Sequence, residues 1–360
     1  MTPLNIAFFG SSLVSAYWNG AATYYRGILK ALAASGHRIT FYEPDAYDRQ
    51  KHRDIPDPHW AEVVVYSAED PRGVECALEN ARDADLIVKA SGVGVFDALL
   101  EARVPAIKRP GAIAAFWDVD APATLDRIAA DPNDPFRALV PQYDLILTYG
   151  GGPPVVYGYQ RFGARCCVPI YNGLDPLTHY PVPPEPRFLC DLGLLANRLP
   201  DRERRIDEFF IAVAADLPER KFLLGGNGWD DKLLPANVGY LGHVFTRDHN
   251  AFNASALAVL NVSRDSMAAY GFSPATRVFE AAGAGACIIT DAWEGLAQFF
   301  EPGHEILVAE TGPAVAETLV RLTSEEAHRI GAAARTRALA DHTYAQRVAL
   351  LQRVLDGSEQ

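Results

Sequence analysis

The chain has 360 residues, 49% hydrophobic and 22% charged, the proportions of a water-soluble globular protein of about two domains. Its 33 Lys and Arg against 45 Asp and Glu leave a net charge of −12, which disfavours a nucleic acid or an anionic membrane surface as partner. Low complexity, collagen-like repetition and wholesale disorder are excluded, and no apolar run approaches the roughly 18 residues of a membrane span.

Residues 5–9 form a short apolar run ending in Gly10-Ser11-Ser12. A helical period follows over 21–34, with Tyr24, Ile28, Leu29 and Leu32 on one face. Gly36 stops it, and 38–43 reads as a strand. Further strands are expected at 63–66, 86–89, 106–107, 112–117 and 145–148, with helices between most of them. Short continuous apolar strands alternating with helices argue for a parallel sheet covered on both faces. The proline cluster at 181–186 reads as an interdomain linker. Beyond it the alternation restarts, with strands at 190–195, 221–225, 238–241, 258–262 and 286–290. Helices are expected at 202–216, 247–255, 274–284, 313–322 and 344–355. The expected fold class is α/β: two doubly wound, Rossmann-like domains at 1–182 and 183–342, facing each other across a cleft at the carboxyl ends of their strands. The last helix, in 343–360, is expected to pack back toward the first domain.

The first basic residue is Arg26, so no secretory leader is expected. The five cysteines, Cys76, Cys166, Cys167, Cys190 and Cys287, are an odd count with no C-x-x-C spacing, and the adjacent Cys166 and Cys167 in an apolar run read as packing residues in a reducing cytoplasm. The nine histidines show no metal spacing; His243-x5-His249 is a loop pair of low specificity, so no metal ligands are expected. No Gly-x-Ser-x-Gly elbow is present, which argues against an α/β-hydrolase.

The segment 261–290 is the most informative. Ser273 is a good N-cap and Pro274 a good first helical residue, so a helix start is expected just after the loop that follows a strand. Its amides and dipole make an anion seat, to which Arg264 and Arg277 add full charges suited to a diphosphate. Glu280 lies four residues after Thr276, where its carboxylate can accept bonds from the vicinal hydroxyls of a ribose. The bland alternative is an exposed Arg277–Glu280 ion pair worth a few tenths of a kcal/mol.

Asp118-x-Asp120 closes an apolar strand and has three readings: a metal-chelating pair, a helix cap or turn, or a carboxylate that deprotonates or orients an acceptor hydroxyl. Gly10 and Ser11 open a loop containing Tyr17 and Trp18, either a sugar-binding surface or a plain strand-to-helix turn. Gly225-Gly226-Asn227-Gly228 reads as a turn lining the cleft.

The stretch 261–308 resembles the nucleotide-sugar half of GT-B glycosyltransferases, most closely the branch similar to the spore-maturation protein CgeB, and more distantly glycosyltransferase family 4. Glu43-Pro-Asp-Ala-Tyr-Asp48 through His52-Arg-Asp54, Phe116 to Leu125, Leu147 to Gly152, Gly163-Ala-Arg165, Tyr171-Asn-Gly-Leu-Asp-Pro176 and Asp201-Arg202 resemble the same branch, in the same order. The resemblance implies a hexosyltransferase-type enzyme with a nucleoside-diphosphate-sugar donor, UDP foremost and GDP or dTDP as alternatives. It implies a small-molecule, glycan or protein acceptor and no required metal. Arg264, Arg277, the helix start near Ser273 and Thr276, and Arg202 would meet the diphosphate. Glu280 would hold the ribose, and His243, Val244 and Phe245 would flank the base. Family-4 enzymes carry a second Glu eight residues before the ribose-binding one; here that position is Phe272, so neither its sugar contact nor a retaining outcome carries over. A nucleotide-dependent oxidoreductase or epimerase, and a non-catalytic nucleotide-sugar binder, are the rival readings.

Overall fold

The computed structural model describes residues 2–358, and the chain divides into two compact units, 1–171 with 344–360, and 172–343. The first unit is built on a seven-stranded sheet in the order β3-β2-β1-β4-β5-β6-β7. Its strands are β1 Asn5–Phe9, β2 Arg38–Asp45, β3 Glu62–Ser67, β4 Leu86–Ala90, β5 Ile113–Asp118, β6 Leu145–Thr148 and β7 Cys167–Pro169. Every pairing is parallel, and the central strands β1, β4, β5 and β6 are near-continuous buried apolar runs, as a sheet covered on both faces requires.

Helix Ala22–Ala34 lays Tyr24, Tyr25, Ile28, Leu29 and Leu32 on that sheet. The final helix, Tyr344–Leu355, buries Tyr344, Val348 and Leu351 in the same core, which also holds Phe8, Phe41, Val88 and Trp117. Each such side chain contributes about 1.5–3 kcal/mol. The two helices meet closely: a Cβ added at Gly27 would lie 2.1 Å from the Tyr344 ring. Residues 106–107, expected as a strand, instead end helix Asp97–Ile107, whose buried face is Leu100, Glu101, Val104 and Pro105.

The second unit carries a six-stranded parallel sheet in the order β10-β9-β8-β11-β12-β13. Its strands are β8 Cys190–Leu195, β9 Phe222–Gly225, β10 Val238–Tyr240, β11 Ala256–Asn261, β12 Ile288–Asp291 and β13 Leu307–Ala309. Leu192, Leu194, Phe210, Phe222, Leu260, Ile289, Leu319 and Ile330 make its core. The proline-rich 181–186 belongs to this unit, where the Glu185 amide donates to Ser255 Oγ at 2.8 Å. The longest helix, Ser324–Asp341, buries mainly small residues, Ala327, Gly331, Ala334 and Ala338, beside Ile330. Among the described residues no helix is long and apolar enough to cross a membrane.

Candidate functional site

In the second unit's sheet the chain order reverses between β8 and β11. Connections leaving two such neighbours depart in opposite directions, and the carboxyl ends of the strands between them are where open α/β sheets bind ligands. Arginines gather there. The segment after β8 enters helix Pro200–Ile206 with Asp201, Arg202, Arg204 and Arg205, and the loop after β11 carries Arg264. Arg264 Nε donates to Asp201 Oδ2 at 2.5 Å, tying the two segments across the reversal. Arg202 is buried, and its Nη2 donates to the Asn197 carbonyl at 2.6 Å. Arg205 Nη2 lies 2.6 Å from Oδ2 of the buried Asp291, which ends β12. Asp291 also accepts from the Ser263 amide at 3.1 Å and hydroxyl at 3.2 Å. Burial raises its carboxyl above the ordinary range, and Arg205 opposes that rise.

Arg277 reaches back from helix Thr276–Gly283 to the end of β11. Its Nη1 donates to Asn261 Oδ1 at 3.0 Å and to the Val262 carbonyl at 3.4 Å. Asn261 is held in turn by its own donation to Thr290 Oγ1 at 2.9 Å. Arg202, Arg204, Arg205, Arg264 and Arg277 thus gather at one end of the sheet, with Asp265 near Arg204 and Arg205, Asp291 on Arg205 and Asp201 on Arg264. Planar guanidinium groups suit a diphosphate.

The helix start differs from the sequence expectation. Helix Thr276–Gly283 begins two residues later than read, with Ala275 at the N-cap. Gly271 and Phe272 are both left-handed, at φ 69° and 47°, so Ser273 closes a tight turn, donating its hydroxyl to the Gly271 carbonyl at 2.9 Å instead of capping. Asn172 braces the entry: its Nδ2 donates to the Pro274 carbonyl at 2.9 Å, and its Oδ1 accepts from Thr276 Oγ1 at 2.8 Å. Phe272 is buried, its amide donating to the Glu294 carbonyl at 2.6 Å.

Gly226, after β9, has φ 131°, and a Cβ there would lie 2.1 Å from the Ala196 carbonyl oxygen, so only glycine lets the turns after β8 and β9 touch. Its amide donates to the Gly242 carbonyl at 2.8 Å, which brings the loop after β10 alongside. That loop holds His243, edge-on to Phe245 at 4.6 Å, and Val244, whose carbonyl lies 3.3 Å from His249 Nε2. Glu280 is buried one turn beyond Arg277 and faces His179 and His249. A small cavity is lined in part by Asn253, Asn261, Arg277 and Glu280.

In the first unit the order reverses between β1 and β4. Gly10 and Ser11 lie there but face inward. A Cβ at Gly10 would meet the Phe41 ring at 2.5 Å, and Ser11 donates its hydroxyl to Asn19 Oδ1 at 3.0 Å. Trp18, 46% exposed at φ 48°, is what this loop presents to solvent. Asp118 is fully buried: Oδ1 accepts from Ser91 Oγ at 2.7 Å and the Asp120 amide at 2.9 Å, and Oδ2 accepts from the Tyr159 hydroxyl. Asp120 is half-buried at the N-cap of helix Ala121–Ala130 without a side-chain capping bond. A hollow of about 900 Å³ lined by Asn5, Arg38, Trp60 and Glu62 lies at the opposite, amino-terminal ends of β1–β3, away from these loops.

Asn172, Asn261, Arg205, Asp291 and His179 are the members of these clusters that pattern reading does not single out. Asn172 carried a signal, as part of the Tyr171–Pro176 motif; His179 carried none, because its partners lie 70 or more residues away.

Residues 202–353 match the sequence profile of a family described as glycosyl transferase-like. No curated protein matches the chain by sequence. Three solved structures share its fold along almost the whole chain. Sucrose-phosphate synthase from Thermosynechococcus elongatus superposes with a TM-score of 0.69 at 16% identity, over 99% of this chain and 100% of that one. Anabaena Alr3699/HepE, crystallised with UDP and glucose, also gives 0.69 at 16% identity, over 98% and 100%. AviGT4, a glycosyltransferase involved in avilamycin A biosynthesis, gives 0.62 at 18% identity, over 99% of each chain. The two parallel α/β sheets therefore form a GT-B fold.

Proposed function

We propose that this chain is a glycosyltransferase of the CgeB-like branch, moving a sugar from a nucleoside diphosphate, UDP foremost, to an acceptor hydroxyl. The observation that carries the reading is the arginine cluster at the β8–β11 reversal, within and beside the stretch that matches a glycosyl transferase-like profile. A likeness of fold to HepE, crystallised with UDP-glucose, supports UDP as the first nucleotide to test.

In the transition state the anomeric C–O bond breaks and its electron pair passes to the diphosphate. Preorganised donors aimed at that growing charge are usually the largest catalytic contribution. Arg264 and Arg277 take that role here, with Arg202 and the first amides of helix Thr276–Gly283 beside them; no metal needs to touch the diphosphate. Glu280 accepts from the ribose hydroxyls, while Gly226 and His243 to Phe245 border the base. On the acceptor side, Asp120 takes the proton of the attacking hydroxyl. Asp118, with both oxygens engaged, positions Asp120 through its amide. The five free cysteines suit a reducing cytoplasm.

The test is a thermal-shift series of the purified protein with UDP, GDP and dTDP, followed by release of nucleoside diphosphate from the matching sugar donor. A ligand held only by the native state raises the melting temperature. No shift with any of the three would remove the donor assignment.

A further inference from the structure

Three side chains far apart in sequence converge inside the second unit. His179 follows the turn at Asp175, His249 lies on helix Thr246–Ser255, and Glu280 on helix Thr276–Gly283. His179 Nε2 is 3.9 Å from Glu280 Oε1, and His249 Nδ1 is 3.7 Å from Glu280 Oε2. One donor atom from each of the three lies within 4.8 Å of the others. His179 is 4% exposed and Glu280 7%.

Neither imidazole nitrogen facing the carboxylate has a hydrogen-bond partner. For His249 the tautomer follows from the opposite side of its ring. Nε2 lies 3.3 Å from the Val244 carbonyl, which can only accept, so Nε2 carries the proton. In the neutral ring Nδ1 is then a lone pair directed at a carboxylate, an arrangement that a cation between them satisfies.

We propose that His179 Nε2, His249 Nδ1 and the Glu280 carboxylate form a binding site for one divalent first-row transition ion of the zinc type. Two imidazoles and one carboxylate are a zinc donor set, whereas magnesium and calcium require oxygen ligands. The His249 bond to a backbone carbonyl is the outer support that metal-bound histidines have, fixing tautomer and ring orientation. His179 is held as firmly: Asn250 donates to the Thr178 carbonyl at 2.9 Å and accepts from the Tyr180 amide at 3.2 Å, bracketing it on both sides. A tetrahedral zinc ion places neighbouring donors about 3.3 Å apart, so closure from donor separations of up to 4.8 Å asks for side-chain shifts of up to about 1.5 Å. The ion joins the segment around 179 to two helices. Bound through one carboxylate oxygen, it leaves the second for a hydroxyl, so the site stands independently of the donor assignment and is compatible with it.

The experiment uses the full chain stripped with a chelator and titrated with Zn2+ and, separately, with Co2+. One equivalent of zinc should bind, raising the melting temperature, with a chelator reversing the rise. Cobalt should give the visible absorption of a low-coordinate nitrogen–oxygen site. His179→Ala and His249→Ala should each weaken zinc binding at least tenfold, with metal-free circular dichroism matching the metal-free parent. Equal zinc affinity in parent and His249→Ala, or no zinc-dependent rise in the parent's melting temperature, would overturn the proposal; the parent's own thermal response decides the matter even if a variant does not fold. UDP binding is measured on the metal-free parent, so its absence there would count against sugar transfer and leave the metal site untouched.

Discussion

Arg277 donates from Nη1 to Oδ1 of Asn261 at 3.0 Å, fixing a half-buried guanidinium to the last residue of a central strand. A charge held this way needs no reorganisation as the leaving group departs. Arg277→Ala is expected to lower turnover about 10²–10³-fold while shifting stability by less than about 1 kcal/mol. Parallel steady-state kinetics and thermal melts check it, and equal losses in both would mark Arg277 as structural. Asn261→Ala, which frees the guanidinium without removing it, should raise KM for the donor more than it lowers kcat.

Asp118 and Asp120 should separate cleanly. Removing the Asp118 carboxylate leaves the Ser91 and Tyr159 hydroxyls without their acceptor in the interior, so Asp118→Ala should cost about 2–3 kcal/mol of stability. Asp120→Ala should cost less than about 1 kcal/mol but lower turnover about 10²–10⁴-fold. Denaturant melts and initial rates on both variants decide it. A stable Asp120→Ala protein with full activity would remove the proton-acceptor role.

Glu280→Gln keeps the shape and removes the charge. In chelator-treated protein, UDP affinity should fall about tenfold, because a hydrogen bond to a charged group contributes about 1.5–3 kcal/mol. Calorimetric titration with UDP measures it, and unchanged affinity would take the ribose away from this carboxylate.

The thiols offer a test of burial. Burial pushes Cys190 and Cys287 up to about 12, while Cys76 is exposed. Raised folded-state values keep both thiols protonated through neutral pH, with about one part in ten thousand as thiolate at pH 8. Alkylation at pH 8 followed by peptide mass mapping should label Cys76 early, and Cys190 and Cys287 only once the protein unfolds or the pH approaches 12.

Long apolar runs made most of the fold legible. β1, β6 and β8 and the final helix lie where continuous hydrophobic stretches placed them, because a strand covered on both faces or a helix with a large-residue stripe leaves a local signature. Pattern reading does not single out the three-residue strands β7 and β13, although it places the equally short β10 at 238–241. Helix Ser324–Asp341 was hidden because its buried side is alanine and glycine, packed so tightly that a Cβ on Gly331 would lie 2.1 Å from the Gly285 carbonyl oxygen. At the candidate site, single-segment features were readable, as with Arg264, Arg277 and Glu280 around one strand and helix. Ser273 misled, because two consecutive left-handed residues before it cannot be inferred from side-chain preferences when one of them is Phe272. The meeting of His179, His249 and Glu280 is a product of tertiary folding alone.

The path of the backbone has a consequence for how the protein is made. Residues 172–343 form a complete body whose two ends adjoin, the Leu174 amide donating to the His342 carbonyl at 2.7 Å. Residues 344–355 then return to fill a space beside Gly27 that the first 171 residues leave for them. During synthesis the part made first must therefore wait for the part made last: the inserted body can finish folding while the opening segment still lacks Tyr344, Val348 and Leu351, and a ribosome that stalls before residue 344 releases a chain whose earlier half stays unsealed.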